Sequence, residues 1–142
     1  MYKIGLSTSG KDFGPALFET YAKAGISAME ISLGYEKTQT LNYKAAEKWA
    51  KDTGVVLWSF HLPFKPFDII DVSAFNPVLR KNSVEYMSEL IKKAGDIGIT
   101  KYILHSSGIT KTETNRQGRM DCAKESSFSL RSTQFSNLST AA

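Results

Sequence analysis

Short apolar runs alternate with amphipathic segments from residue 2 to about residue 130. Lys3 to Ser7, Ile26 to Ser32, Val55 to Phe60 and Lys101 to Leu104 have the length and residue types of strands. The segments between them place apolar residues three and four apart, as helices do: Leu17, Phe18, Tyr21 and Ala24; then Ala45, Ala46, Trp49 and Ala50; then Val84, Met87, Leu90, Ile91 and Ala94. A βαβα order of this kind predicts an α/β fold, a parallel sheet with helices laid over it. The third run is almost continuously apolar, which predicts a strand buried on both faces.

Punctuation residues sharpen the boundaries. Pro15 suits a first helical turn, Asn42 and the pair Asn76-Pro77 read as helix starts, and Gly25, Gly54 and Gly98 read as helix stops. Gly34 to Thr40 is expected to be loop, and the two prolines of His61-Leu62-Pro63-Phe64-Lys65-Pro66-Phe67 keep that stretch out of a helix. Thr114 and Gln117 have capping-box spacing for a last helix running through Met120, Ala123, Ser127 and Leu130. From Arg131 to Ala142 the sequence is Ser/Thr-rich without apolar periodicity and is expected to be an irregular or disordered tail.

Composition changes the picture little. Eighteen Lys and Arg against 14 Asp and Glu leave a net charge of +4, but the charges interleave, as in Lys44, Glu47, Lys48, Lys51 and Asp52, which is the signature of solvated helix faces and not of a nucleic-acid patch. There is no signal-peptide pattern at Met1 and no apolar run long enough to span a bilayer, so the expected location is the cytoplasm, with lone Cys122 reduced. Length matters more. Strands begin near residues 3, 27, 55 and 100 of 142, which provides four (β/α) units where a closed eight-stranded barrel takes about 250 residues.

Candidate chemistry gathers at strand ends. His61 follows the third strand and His105 the fourth, so a parallel sheet puts both at its C-terminal edge, where α/β folds hold their ligands. Two neutral imidazoles there can hold Zn²⁺ or Mn²⁺, or donate to a sugar oxygen. Glu30 interrupts the second strand; it either faces the site or forms an ion pair with a lysine. Ser106, Ser107 and Gly108 after His105 have the composition of an anion-binding turn. Phe64 and Phe67 are expected in a ligand-facing rim loop, whereas Trp58 and Phe60 are expected in the core.

In their order and spacing, Gly25 to Ile31, Ser59 to Phe64 and Ile103 to Gly108 resemble the N-terminal half of the sugar phosphate isomerase/epimerase superfamily, the xylose isomerase-like TIM barrels to which endonuclease IV is related. The resemblance covers residues 2 to about 130 and implies a partial barrel of four (β/α) units over 1–130, followed by the tail 131–142. It implies metal-dependent proton-transfer isomerisation of a sugar or sugar phosphate, with Mn, Zn, Mg or Co as cofactor. In that reading Glu30 is catalytic, His61, Phe64, Ser106 and Ser107 contact the substrate, and His61 and His105 meet the metal. The family draws further metal carboxylates from later strands that are missing here, which predicts a truncated or frame-shifted product. Two rival expectations follow: a homodimer that closes the barrel around a sugar, or a catalytically inactive binding half-domain. An abasic-site nuclease, a third reading, would need a basic stripe that the charge pattern lacks.

Overall fold

The computed structural model describes residues 4–105 and 115–139, with side chains through Thr133. Its elements follow one another as β1 (Gly5–Ser7), α1 (Pro15–Lys23), β2 (Ala28–Ser32), α2 (Tyr35–Gln39), α3 (Tyr43–Thr53), β3 (Val56–His61), α4 (Pro77–Gly95), β4 (Tyr102–Ile103) and α5 (Arg116–Ser139). Local chemistry sets the helix ends. Asn42 Oδ1 accepts from Ala45 N–H at 3.0 Å and Asn76 Oδ1 from Val78 N–H at 2.9 Å, each relieving an amide that the first turn leaves unpaired. Gly54 closes α3 in the left-handed region at φ 73°, where a side chain would be strained.

The four strands lie parallel in the order β1-β2-β3-β4, so each helical connection crosses to the next strand along. Side chains alternate between the faces of such a sheet. On the outer face Met29, Ile31 and Phe60 are fully buried under the helices. Ile31 and Phe60 join Leu62, Ile70, Val72 and the α4 residues Met87, Leu90, Ile91 and Ala94 in one cluster. A second cluster joins Phe18, Tyr21, Met29 and Val55, with Trp49 of α3 tilted against Phe18 at 5.8 Å.

The inner face is different. Ala28 lies opposite Val56, Glu30 opposite Ser59 and Ser32 opposite His61, with a register shift between Met29 and Glu30 that leaves Trp58 without a facing partner. Val56 is 50% exposed, Trp58 53% and Ile103 40%. The expectation of a strand buried on both faces therefore fails for β3, and Trp58 lies outside the core, because helices cover one side of this sheet only. Lys101 supplies partial cover, with its Nζ 3.6 Å from the Trp58 ring centroid.

Other sequence expectations shift as well. Tyr35–Gln39, expected as loop, forms the short helix α2, held by Thr38 Oγ1, which donates to Tyr35 O at 2.6 Å. Thr114 lies outside the described residues, and the start of α5 is capped by Asn115, whose Oδ1 accepts from Gly118 N–H at 2.8 Å. Helix α5 does not stop at Leu130 but continues to Ser139, so the stretch expected to be an irregular tail from Arg131 is helical that far. Hydroxyls that looked helix-breaking satisfy themselves within it: Ser132 and Thr133 donate to the carbonyls four residues back, and Thr133 also reaches Ser88 of α4 at 3.2 Å. Among the described side chains of α5, Arg119, Ala123, Ser126 and Leu130 are buried, while Met120 is exposed. No helix among the described residues is long and apolar enough to cross a membrane.

Arg119 is buried because it has a buried acid to meet. Its guanidinium pairs with Asp71 and donates to Ser73 Oγ at 2.8 Å. Asp71 Oδ1 in turn accepts from Ser73 N–H and Oγ, at 2.9 and 2.7 Å, and Ser83 Oγ of α4 accepts from Asp71 N–H at 2.9 Å. The network ties α5 and α4 to the segment between β3 and α4. Removing one partner of a buried ion pair leaves the other charge desolvated, at a cost of about 3–5 kcal/mol. Arg119→Ala is accordingly expected to lower unfolding free energy by about 3 kcal/mol or more, read from denaturant melts, and a loss below about 1 kcal/mol would contradict a buried role.

Half-buried phenols set an alkaline limit. Desolvation, with the Asp96 charge as the lesser cause, pushes Tyr102 up to about 12, and desolvation also raises Tyr43 and Tyr86. A folded pKa above the ordinary 10.0 means that the folded state holds these protons more tightly than the unfolded one. Their stabilisation is complete below about pH 10 and is lost as pH climbs toward 12. The urea midpoint should therefore fall through that window, and Tyr102→Phe should flatten part of the fall; an unchanged slope in the variant would exclude Tyr102 as its source.

Candidate functional site

His61 is the last residue of β3 and His105 stands just beyond β4, so adjacent parallel strands deliver both imidazoles to the C-terminal rim. The strand order predicted that placement, and the structure brings the two rings together. Their Nε2 atoms lie 3.1 Å apart and their ring centroids 4.9 Å apart. His61 Nδ1 sits 3.1 Å from the Leu62 carbonyl. A carbonyl only accepts, so Nδ1 carries the proton, His61 Nε2 presents a lone pair, and His105 Nε2–H is the donor between the rings.

The loop after β3 fixes the second ring. Phe64 stacks on His105 with centroids 4.2 Å apart and an interplanar angle of 29°, and Phe67 stands 6.4 Å behind Phe64. The loop turns at Pro66, whose carbonyl accepts from Ile70 N–H at 2.8 Å. Its far end is held by the Asp71 network, so the buried ion pair and the rim aromatics belong to one anchored segment.

The donors fit a divalent cation in part. Two nitrogens bound to zinc at about 2.0–2.1 Å in tetrahedral geometry lie about 3.3 Å apart, close to the 3.1 Å between these Nε2 atoms. The Nδ1–H to carbonyl bond of His61 is the outer contact that orients metal-binding imidazoles. No group of three His, Cys, Asp or Glu converges among the described residues. Once His105 moves its proton from Nε2 to Nδ1, the pair supplies half of a tetrahedral shell.

Glu30 lies on the same inner face, one strand over and two residues before the partner of His61. Its Oε2 accepts from Ser59 Oγ at 3.4 Å, and among the described residues it forms no ion pair with a lysine. The structure does not draw it into the imidazole pair. Ser106 and Ser107 lie outside the described residues.

Sequence reading missed a cleft of about 640 Å³ along the same rim, lined by Lys11, Asp12, Ser32, Tyr35, Lys65 and Ile69 among others. Ser32, the register partner of His61, belongs to its wall, so the cleft borders the strand next to the pair without being lined by either imidazole. Its lining comes from the three loops that follow β1, β2 and β3. The rule that parallel sheets bind ligands at their C-terminal loops would have found it.

No protein-family model matches the sequence, and no curated protein sequence matches it. Solved structures do. A D-psicose 3-epimerase in the presence of D-fructose superposes with a TM-score of 0.78 at 14% identity, over 96% of this chain and 50% of that one. A 3-keto-D-glucoside 4-epimerase from E. coli gives 0.73 at 14% identity, over 96% and 53%. Endonuclease IV from Thermus thermophilus gives 0.54 at 16% identity, over 91% and 45%. At such identities the likeness establishes the fold alone: four (β/α) units arranged as in one half of those structures. The chain spans about half the length of the solved structures it matches.

The His61 tautomer is directly measurable. Long-range ¹H–¹⁵N correlation at mildly alkaline pH should show His61 protonated on Nδ1 with an unprotonated Nε2, and Phe64→Ala should leave that tautomer unchanged while broadening His105. A proton on His61 Nε2 would contradict the arrangement.

Proposed function

We propose that this half of a xylose isomerase-like barrel binds one divalent cation between His61 and His105 and uses it to isomerise or epimerise a sugar or sugar phosphate by proton transfer. The observation that carries the reading is the convergence of two Nε2 atoms to 3.1 Å at the C-terminal rim, beside a cleft large enough for a small molecule. Imidazole donors favour Zn²⁺ or Co²⁺, while Mg²⁺ prefers oxygen. Mn²⁺ takes both donor types where carboxylates join the shell.

Such an ion, when bound, polarises a sugar carbonyl and the hydroxyl beside it. The residues of this chain do the rest. His61 and His105 hold the site, and Phe64 keeps the His105 ring in place through its stacked face. Glu30 is the general base, taking a proton from the carbon next to the carbonyl, with the Ser59 hydroxyl orienting its carboxylate. Tyr35 and Ile69 border the body of the sugar in the cleft, and Lys11 and Lys65 at its edge can meet a phosphate. Ser106 and Ser107, directly after His105, are suited to the sugar hydroxyls.

A nuclease reading gains nothing from the surface. Lysines on the helices pair with neighbouring acids, as Lys48 does with Asp52 at 2.6 Å and Lys51 with Glu47 at 2.8 Å, leaving those faces balanced.

Calorimetric titration with Zn²⁺ or Co²⁺ should show one ion per chain, and His61→Ala and His105→Ala should each weaken binding at least about tenfold without changing the circular dichroism spectrum. Binding unaffected by both substitutions would overturn the site. With metal bound, a ketose in D₂O should exchange its α-proton, and Glu30→Gln should slow that exchange by about 10²-fold or more. Stoichiometric metal with no exchange on any ketose or ketose phosphate would mark the chain as a binding half-domain instead.

A further inference from the structure

We infer that the cleft beside the imidazole pair is a phosphate-monoester site in which Lys11 and Lys65 hold the phosphate, so that the sugar taken at this rim is a phosphorylated one, a conclusion that rests on the proposed sugar reading for the body of the ligand alone. The walls of the cleft belong to the connections after β1, β2 and β3, between Gly10 and Ile69. Its shape is therefore independent of whatever covers the inner face of the sheet.

Charge separates the lysines of the lining. Lys37 Nζ lies 3.9 Å from Asp12 and is balanced there. Lys11 and Lys65 form no ion pair among the described residues, and Lys65 Nζ stands instead 5.6 Å from the Phe64 ring centroid. Glu36 is the remaining acid of the lining and is exposed on α2, so Lys11, Lys37 and Lys65 outnumber Asp12 and Glu36 by one. A phosphate monoester carries a charge of about −1.5 to −2 at neutral pH and offers oxygens to two ammonium groups at once.

The backbone that carries Lys11 is anchored. Thr8 is fully buried; its Oγ1 donates to Ser32 O at 3.1 Å and accepts from Ser32 N–H at 2.8 Å. From that anchor the chain turns back, with Lys11 N–H donating to Thr8 O at 3.0 Å and Gly10 at φ 71°, a conformation that a tight turn gives to glycine. Lys65 belongs to the loop that stacks Phe64 on His105 at 4.2 Å, so the second ammonium is tied to the imidazole pair. Tyr35, whose ring is tilted against Tyr86 at 5.1 Å, and Ile69 supply apolar lining. Ser32 has its amide and carbonyl taken by Thr8, while its hydroxyl makes no hydrogen bond among the described residues and is left for a sugar oxygen. Neighbouring strands lie about 4.8 Å apart, so a sugar on the Ser32 hydroxyl is one strand from His61.

Calorimetric titration of the full chain without metal, at low ionic strength, tests this separately from the chemistry. D-fructose 6-phosphate should bind at least about tenfold more tightly than D-fructose, and inorganic phosphate should compete with it. Lys11→Gln and Lys65→Gln should each weaken the phosphate ester about fivefold or more and leave D-fructose unchanged, whereas Lys48→Gln, on α3 outside the cleft, should change neither. Equal affinities for ester and free ketose, no binding of either at millimolar concentration, or a loss in Lys48→Gln equal to that in the cleft variants would overturn the phosphate site. Preference for the ester with no α-proton exchange in the metal-loaded chain would overturn the isomerase reading alone. Exchange on D-fructose with no preference for its phosphate would overturn the phosphate site alone.

Discussion

A parallel strand sends alternate side chains to opposite faces, and in this chain only one of those faces is covered. Met29, Ile31 and Phe60 lie fully buried beneath the helices, while the residues that alternate with them along the strands, Glu30, Ser59 and His61, look toward the other side of the sheet. Everything of chemical interest follows from that asymmetry. The covered face supplies the apolar burial that holds the strands, and the other face is left free for polar and ligand-binding groups at the rim and for exposed apolar groups below it.

A second constraint determines whether the rim is ordered. The segment from Leu62 to Asn76 is long for a connection, and such loops carry function when a scaffold fixes them. Here the scaffold is polar. Asp71 and Ser73 bind Arg119 from α5, Ser83 from α4 holds the Asp71 amide, and Ser126 donates to the Val72 carbonyl at 2.7 Å. Desolvating an ion pair costs stability unless its geometry is good and its remaining lone pairs are satisfied. These are, and the outcome is an anchored loop that presents Phe64 to His105.

Much of this was legible in the sequence because it depends on local rules. Asn42, Asn76 and Gly54 mark helix ends by chemistry that acts within one turn, and the placement of His61 and His105 follows from strand order alone. What the sequence hid depends on partners far along the chain. Arg119 looks like a solvent-facing helix residue until Asp71, 48 positions away, is seen opposite it. Trp58 looks like core because apolarity does not reveal which face of a sheet is covered. Helix α5 passes Leu130 with the Ser132 and Thr133 hydroxyls satisfied on its own turns and Thr133 reaching Ser88 of α4, contacts that no apolar periodicity signals. Glu30 was recognisable as unusual, but its partner, Ser59, comes from pairing across a register shift.

The central claim is that two imidazoles on neighbouring strands form a half-shell that a cation completes by displacing the proton between them. Its most direct test is the anomalous difference map of a zinc-soaked crystal, collected on both sides of the zinc edge. A single strong peak at about 2.0–2.1 Å from both His61 Nε2 and His105 Nε2 is the predicted result; a map whose peaks lie elsewhere, with the two rings still hydrogen-bonded to each other, would contradict it.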